Sequence, residues 1–352
     1  MKKVLYLTNI EVPYRVRFFN ELAKHCDLTV LYERERSANR NQAWAGSVLR
    51  NFRVKHLNGW KIGNENTFSL SIFKEIFGKY DNIIVGCYNS PVQMVAILVM
   101  RLFRIPYMLN LDGEPFLNGG GIKKKLKRFF LSGAQTYLVA GEKAAESMKV
   151  ALGENKKIIP YYFSSLTEQE IEEHRKAAGR SRNDTILVIG QYFDYKGIDV
   201  ALEAARMDQS LHYKFVGMGT RTELFRQEHE IPDNVDLIPF LQKEELEEEY
   251  KSCAMLVLPS RQECWGLVIN EAASFGMPIV STWGSGAAVE FLADEYPMCL
   301  AMPGNAEALL KCIALFQKLK DYSGIKESLL RKSQRYSVEK SVQIHIYQIN
   351  NI

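Results

Sequence analysis

Two glutamates, Glu263 and Glu271, stand eight positions apart in the stretch SRQECWGLVINEAASFGMPIVS. The apolar run 254–260 before them predicts a strand, and Gly266 then opens a helical pattern whose first residue is Leu267. A carboxylate can accept two hydrogen bonds from a diol, and a helix N-terminus favours a phosphate. The pair therefore predicts a site for a sugar nucleotide, in which hydroxyl groups lie on both sides of a pyrophosphate.

The predicted elements set where the two carboxylates lie. Glu263 falls on the loop at the carboxyl end of the strand, and Glu271 falls about one turn into the helix, which stops at Gly276. Ligands of open α/β sheets bind in the crevice outside the carboxyl ends of the strands. Two glutamates with this spacing are also common on solvated helix faces, so the strand–loop–helix context carries the prediction.

This context resembles the retaining glycosyltransferases of family 4 (glycosyltransferase group 1). The signature of that family has Gly after the first Glu, Glu-Ala at the second, and Gly-x-Pro at the helix end. The matching residues are Glu263, Gly266, Glu271, Ala272, Gly276 and Pro278. The resemblance implies an α/β protein with the GT-B fold, in which two Rossmann-like domains with parallel sheets face each other across a cleft. The match is dense over 185–290 and sparse over 1–160.

A second match to the family lies in ILVIGQYFDYKGIDV, where a predicted strand ends at Gly190 and a loop carries Lys196. An ammonium there would stabilise the negative charge that develops on the leaving nucleotide as the glycosidic bond breaks. The family has Arg where this chain has Gln191, which donates a hydrogen bond but carries no charge. The resemblance implies that Gly190, Gln191 and Lys196 contact the donor. Either Lys196 neutralises more of the diphosphate charge, or another cation replaces the missing arginine.

The resemblance implies further donor contacts after the next predicted strand, YKF, and in the later segment Pro239-Phe240-Leu241. Gly217 belongs to a strand-end Gly-x-Gly, where the absence of a side chain lets the backbone approach a ligand. Phe240 and Leu241 fall where family members hold the base, so we expect them to frame the nucleobase. Ordinary core packing of Phe240 is the alternative.

The first half of the chain offers three further candidates. Arg15 and Arg17 follow the first predicted strand, and either could supply the cation missing at Gln191; surface or acceptor-side roles are the alternative. Asp112 follows the strand PYMLNL, where related enzymes place a histidine or an acid near the acceptor hydroxyl. We expect Asp112 to orient or deprotonate that hydroxyl, and a turn role for Asp-Gly is the alternative. No covalent nucleophile is expected.

The charge of the chain is uneven. Residues 1–180 carry 28 basic and 17 acidic residues, a net charge of +11, against −7 for the remainder. Five basic residues precede Phe129-Phe130-Leu131, and they are Lys123, Lys124, Lys125, Lys127 and Arg128. Such a cluster suits an anionic membrane surface, and a solvated helix face is the alternative. No nucleic-acid-binding module accompanies these charges, so no nucleic-acid partner is expected.

Composition bounds the compartment and the chemistry. Hydrophobic residues make up 47% and charged residues 24%, as in ordinary globular proteins. The six cysteines include no Cys-x-x-Cys pair, which fits free thiols in a reducing cytoplasm. No apolar stretch reaches the length of a membrane span, so the expected location is cytoplasmic, with peripheral binding to the inner face of the plasma membrane as a further expectation. No Asp-x-Asp motif occurs, and we expect neither a metal nor a cofactor.

Strands and helices alternate twice along the 352 residues, which predicts two parallel-sheet domains. We expect an acceptor-binding domain over 1–165, a linker over 166–184 and a nucleotide-sugar-binding domain over 185–335. The resemblance implies that the helix over 336–352 crosses back to the first domain.

These observations predict a retaining, metal-independent glycosyltransferase with Asp112, Lys196 and Glu263 as its catalytic residues. It would move a sugar from a nucleoside diphosphate, with UDP expected, to a glycan, with a lipid-linked intermediate of bacterial surface polysaccharide expected. Transfer to a small soluble acceptor is one alternative. A non-catalytic sugar-nucleotide-binding subunit and a sugar-nucleotide epimerase are the others.

Overall fold

The computed structural model describes residues 1–34, 49–62, 66–113, 121–178, 183–318 and 322–351. The chain divides into two compact units, the first formed by Met1–Ser165 with Val338–Ile352 and the second by Leu166–Ser337. Each unit is built on a parallel sheet connected by helices. This confirms the prediction of an α/β protein with two Rossmann-like domains.

The described part of the first unit contains a seven-stranded sheet in the order β3-β2-β1-β6-β7-β8-β9, and every neighbouring pair is parallel. Its strands are β1 (Lys3–Thr8), β2 (Asp27–Tyr32), β3 (Arg53–His56), β6 (Asn82–Val85), β7 (Met108–Leu111), β8 (Thr136–Ala140) and β9 (Lys157–Tyr161). A separate antiparallel pair is formed by β4 (Trp60–Ile62) and β5 (Asn66–Phe68). The strand order reverses between β1 and β6, so their carboxyl ends form a topological switch point.

The described part of the second unit repeats this plan with six parallel strands in the order β12-β11-β10-β13-β14-β15. They are β10 (Thr185–Ile189), β11 (His212–Val216), β12 (Val235–Ile238), β13 (Met255–Leu258), β14 (Ile279–Thr282) and β15 (Leu300–Ala301). β13 is buried over its whole length, as expected for a central parallel strand covered on both faces. The order reverses between β10 and β13, and this places a second switch point beside Lys196 and Glu263.

Helices connect the strands in both units. In the first unit they are α1 (Pro13–Leu22), α2 (Ser71–Ile76), α3 (Pro91–Leu102), α4 (Ile122–Leu131), α5 (Glu142–Leu152) and α14 (Val338–Asn350). In the second unit they are α6 (Glu168–Ala177), α7 (Ile198–Met207), α8 (Thr222–Glu228), α9 (Lys243–Ser252), α10 (Leu267–Ser274), α11 (Gly286–Leu292), α12 (Ala306–Lys318) and α13 (Ser323–Ser333). None of the helices in the described ranges has the length and hydropathy that crossing a bilayer requires.

The stretch 166–184, predicted as a linker, carries helix α6. Thr167 caps this helix in a reciprocal capping box with Glu170, which satisfies two backbone N–H groups at its start. The His174 ring stacks on Phe275 with 3.9 Å between ring centroids, and burial lowers the pKa of His174. The packing therefore makes most of this stretch part of the second unit.

The last helix, α14, belongs to the compact first unit. Its His345 ring lies 4.8 Å from the ring of Phe18 on α1, edge to face. Burial lowers the pKa of His345 to about 4, so the imidazole is neutral at pH 7. The Nε2 atom lies 2.9 Å from Oδ1 of Asn110 on β7, which ties the end of the chain to the strand that precedes Asp112.

Candidate functional site

The loops that follow β10 and β13 meet at the switch point of the second unit. Gly197 lies between them in the left-handed conformation, with a φ of 65°. A Cβ atom at this position would lie 2.1 Å from the carbonyl oxygen of Pro259 in the loop after β13. Only glycine permits this approach, and the contact brings together two segments that are distant in sequence.

Lys196 and Glu263 form an ion pair across this crevice, although 67 positions separate them. Their side chains are 20% and 17% exposed, so the pair lies in a partly desolvated place. The backbone N–H of Glu263 donates to Gly284 (2.8 Å), and its carbonyl accepts from Gly286 (3.1 Å). Glu263 is thereby fixed to the loop between β14 and α11. The structure thus brings two of the predicted catalytic residues into contact.

A second ion pair, which sequence reasoning missed, holds the same two loops together. Arg261 Nη1 and Nη2 donate to the two carboxylate oxygens of Asp199 on α7, at 2.8 and 2.6 Å. Arg261 Nη1 also donates to the Asp194 carbonyl at 2.8 Å, and its backbone N–H donates to the Tyr195 carbonyl at 2.9 Å. Asp194 and Tyr195 directly precede Lys196, so this arrangement fixes the Lys196 loop against the Glu263 loop.

Replacing Arg261 with Ala is expected to lower the free energy of unfolding by about 1 kcal/mol at pH 7, since the pair is bidentate but partly exposed. Burial opposes ionisation of Asp199, but hydrogen bonds and charge from Arg261 outweigh it and lower the pKa of Asp199. A lowered carboxyl pKa stabilises the fold above the unfolded value of about 3.9, and the contribution is lost as pH falls through the folded value. Urea unfolding should therefore show wild type and variant converging below about pH 4. A gap independent of pH would contradict this assignment.

Helix α10 begins after Gly266, whose φ of 104° is in the region that favours glycine. Leu267 is its first residue, and Glu271 lies one turn further along. The Tyr250 hydroxyl on α9 donates to Glu271 Oε2 at 2.8 Å, and sequence reasoning missed this partner. Burial, with the charge of Glu271 adding to it, raises the pKa of Tyr250 well above its ordinary value. Tyr250 therefore stays a neutral donor that holds the Glu271 carboxylate in one orientation.

The other predicted donor contacts lie along the carboxyl ends of β10, β11 and β12. Gly190 donates its N–H to Val216 at 3.0 Å, and Gly217 donates to Ile238 at 3.1 Å. Gly217 has a φ of 97°, a conformation that favours glycine, and a Cβ there would be in ordinary contact with Gly190, at 3.8 Å. Gln191 follows directly and is half-buried. Phe240 and Leu241, also half-buried, follow β12 at the outer edge of the sheet, two strands away from β10.

A cation that the sequence analysis did not consider lies beside the Gln191 loop. The Arg221 guanidinium sits 4.0 Å above the Phe193 ring and donates to the Tyr192 carbonyl at 3.3 Å. Arg221 lies two residues after Gly219, in the short helical turn that follows β11, and this spacing from the Gly-x-Gly was the available signal. The loop that lacks the expected arginine at Gln191 therefore contacts an arginine supplied by the neighbouring strand end.

In the first unit the structure brings Arg15 and Asp112 together. Arg15 is buried and forms an ion pair with Asp112, whose carboxylate also accepts a hydrogen bond from the Tyr161 hydroxyl at 3.1 Å. Arg15 Nη1 donates to the Tyr6 hydroxyl at 3.3 Å. Although burial opposes its charge, Asp112 raises the pKa of Arg15 well above its ordinary value. These contacts favour a role for Arg15 in positioning Asp112. The Arg17 side chain donates to the Ser165 carbonyl at 3.3 Å.

Residues 170–332 match the family model described as glycosyl transferases group 1. The chain is 28% identical over 169 residues to an uncharacterised glycosyltransferase of Haemophilus influenzae, with 46% of this chain and 47% of the relative covered. The chain thus spans about half the length of that relative. It is 25% identical over 293 residues to an uncharacterised glycosyltransferase of Methanocaldococcus jannaschii, with 81% and 77% covered.

Solved structures show the same fold over the whole chain. HepE of Anabaena in complex with UDP-glucose superposes with a TM-score of 0.70 at 15% identity, covering 100% of both chains. WaaG, described as a glycosyltransferase involved in lipopolysaccharide biosynthesis, superposes with a TM-score of 0.67 at 14% identity, covering 99% of this chain and 100% of WaaG. These comparisons confirm the predicted GT-B fold. The family match over residues 170–332 confirms the resemblance to group 1 glycosyltransferases.

Proposed function

We propose that this protein is a retaining glycosyltransferase that moves a sugar from a nucleoside diphosphate donor to a lipid-linked glycan in the synthesis of bacterial surface polysaccharide. The observation that carries the proposal is the Lys196–Glu263 ion pair at the switch point of the second unit, next to the N-terminus of α10. A crevice of this kind is where open α/β sheets bind ligands. It combines a cation for phosphate with a carboxylate for sugar hydroxyls.

Each of the site residues named in the second unit has a proposed role in donor binding. The Lys196 ammonium and the N–H groups at the start of α10 neutralise the diphosphate, and Glu263 accepts hydrogen bonds from the transferred sugar. Glu271, oriented by Tyr250, accepts hydrogen bonds from the ribose diol. Because the ammonium is already in place, it stabilises the charge on the leaving diphosphate without reorganisation.

UDP is the proposed nucleotide, and HepE, which shares the fold, has been solved with UDP and with UDP-glucose. Gly190, Gln191 and Gly217 would line the approach to the phosphates at the ends of β10 and β11. Phe240 and Leu241 would frame the base beyond them.

Asp112 is the proposed group on the acceptor side. Its carboxylate is held by Arg15 and Tyr161, so it is presented in a single orientation. An ion-paired carboxylate suits the task of orienting the acceptor hydroxyl by accepting its hydrogen bond. In the proposed reaction the acceptor oxygen bonds to the anomeric carbon as the bond to the phosphate oxygen breaks. The hydroxyl proton passes to the leaving phosphate on the same face, which retains the configuration without a covalent intermediate.

Release of UDP from UDP-sugars in the presence of lipid-linked acceptors tests this function, and NMR of the product tests retention. Release that requires acceptor and yields a product with the donor's anomeric configuration is expected. Release with small soluble acceptors alone would favour that alternative. Tight UDP-sugar binding without turnover would favour a non-catalytic subunit, which the neutral Gln191 makes a specific alternative.

Turnover is expected to be unchanged by a metal chelator, because Lys196 and the α10 N-terminus supply the positive field that a divalent ion supplies in metal-dependent transferases. Initial rates measured with chelator, and then with added Mg²⁺ or Mn²⁺, check this. Activity that disappears with chelator and returns with Mn²⁺ would refute metal independence.

The proposed location is cytoplasmic, with peripheral attachment to the inner face of the plasma membrane. A lipid-linked acceptor lies at that surface, and nucleotide sugars are made in the cytosol. The excess of positive charge over residues 1–180 supports attachment through the first unit.

A further inference from the structure

The first unit exposes large apolar side chains on neighbouring helices, and we name this set the α3–α4 surface. Its members are Phe77 at the end of α2, Leu98, Leu102 and Phe103 on and just after α3, and Ile122, Leu126 and Phe129 on α4. Leu102 is 77% and Ile122 is 84% exposed. The three α4 residues recur at intervals of four and three, so they form one stripe along the helix.

The sequence predicts that Phe129, Phe130 and Leu131 together accompany the basic cluster. The structure exposes Phe129 but buries Phe130 and Leu131 in the core of the first unit. Helical geometry turns consecutive residues by about 100°, so three adjacent apolar residues span about 200° and do not all lie on one face. The exposed apolar area instead extends to α3, which carries no basic cluster and gave no signal in the sequence.

Ring contacts join the three helices into one surface. The rings of Phe77 and Phe103 are 5.2 Å apart and edge to face. The Arg101 guanidinium lies 4.1 Å from the Phe129 ring and donates to the Phe129 carbonyl, which attaches α3 to α4. The apolar groups are therefore neighbours within one unit.

Exposed basic residues lie on the same segments as these apolar groups or within two residues of them, and they are Lys79, Arg104, Lys125, Lys127 and Arg128. The sequences of α3 and α4 contain no acidic residue. Lys123 and Lys124, also named in the sequence analysis, have side chains outside the described part of the structure. On α3 and α4 the surface thus combines apolar contact area with positive charge, whereas α2 contributes Glu75, which pairs with Lys55.

Arg104 occupies a position where glycine is usual. Helix α3 ends in a Schellman motif, with Ile105 N–H donating to Met100 O at 2.8 Å and Arg104 N–H donating to Arg101 O at 3.3 Å. Arg104 occupies the left-handed position of this motif, with a φ of 54°. In the described part of the chain it is the single non-glycine residue with a positive φ. Because glycine adopts this conformation without strain, an arginine here lowers the stability of the fold. The arginine also adds a positive charge next to Phe103.

We propose that the α3–α4 surface binds an anionic lipid bilayer. The apolar side chains enter the boundary between headgroups and acyl chains, and the basic residues contact lipid phosphates. This proposal rests on the proposed function in one respect: a lipid-linked acceptor lies in the bilayer, so binding to the bilayer would bring the enzyme to its acceptor. A second copy of the chain is a poorer occupant, because a twofold interface would bring like charges together.

Vesicle flotation tests the surface directly, with pure phosphatidylcholine compared with mixed phosphatidylcholine and phosphatidylglycerol. Wild type should float with the anionic vesicles at low salt and less at high salt, because exposed charges are screened beyond about 10 Å at 0.1 M. Replacing Lys125, Lys127 and Arg128 with Ser should weaken binding by about 100-fold, at about fivefold for each cation. Leu102→Ser with Phe103→Ser should weaken it by about tenfold or more.

Two variants separate binding from folding. Val150→Ser changes an apolar residue of α5 that is 86% exposed but outside the surface, and it should float like wild type. Arg104→Gly should raise the melting temperature while reducing flotation about fivefold, a combination that simple misfolding cannot produce.

Wild type that stays soluble at low salt would overturn the proposal, as would an α3 variant that floats normally. Concentration-dependent dimers that dissociate in the Leu102→Ser, Phe103→Ser variant would assign the surface to a second copy. UDP release with a detergent-solubilised acceptor, measured on the same variants, separates the two proposals. Flotation without sugar transfer would contradict only the proposed function. Sugar transfer without flotation would contradict only the proposal that the α3–α4 surface binds a bilayer.

Discussion

Turnover is expected to fall by about 100-fold or more when Lys196 is replaced with Ala. If the ammonium stabilises the leaving diphosphate, its loss resembles the removal of one preorganised donor to a developing anion, which costs about 10²–10³ in kcat. Lys196→Arg should recover part of the activity, because it restores charge with a different geometry. Steady-state rates of UDP release, with kcat and KM determined separately, provide the measurement.

Lys214→Ala is a matched control for this experiment. Lys214 also pairs with a glutamate of the second unit, Glu249, at 2.8 Å, and the exposures of 24% and 17% resemble those of the Lys196–Glu263 pair. Lys214→Ala should lose similar stability but keep its turnover. Near-normal turnover of Lys196→Ala would instead move the phosphate-stabilising role to Arg221 or to Arg15.

Replacing Glu271 with Ala is expected to weaken UDP binding by about 5- to 150-fold. The change removes the carboxylate that accepts from the ribose diol, and leaving those hydroxyls unpaired costs about 1–3 kcal/mol. Tyr250→Phe should give a smaller loss, because it frees the carboxylate from its fixed orientation without removing it. Calorimetric titration with UDP measures both losses.

The Glu271 variant needs a control for stability, since it removes the carboxylate that accepts from the buried Tyr250 hydroxyl. The double variant Glu271→Ala, Tyr250→Phe removes both partners of this hydrogen bond, so it should recover stability while UDP affinity stays low. Glu295→Ala breaks an ion pair with Lys332 elsewhere in the second unit and should leave affinity intact. Unchanged UDP affinity of Glu271→Ala would exclude the ribose assignment.

Local sequence was sufficient for the features that depend on a single strand, loop and helix. The segment that contains Glu263, Gly266 and Glu271 folds as predicted into β13, a loop and α10, because apolar runs, Gly and Pro act within a few residues. The same is true of Gly190 and Lys196 after β10. The edge strands β3 and β15 were not predicted. β3 has no buried residue and so has no apolar run, and β15, with two residues, is too short to give a pattern.

Which residues meet was decided by the tertiary structure. Sequence alone was sufficient to predict two α/β halves, the resemblance to group 1 glycosyltransferases, and loops bearing Lys196, Glu263 and Asp112. The strand order places β10 beside β13. This neighbourhood brings Lys196 into contact with Glu263, although 67 positions separate them in sequence. Packing likewise paired Arg15 with Asp112 and turned Phe129 outwards but Phe130 inwards. The physical reason is that strand order and helix rotation depend on burying apolar surface over the whole unit, whereas turn and helix signals act over a few residues.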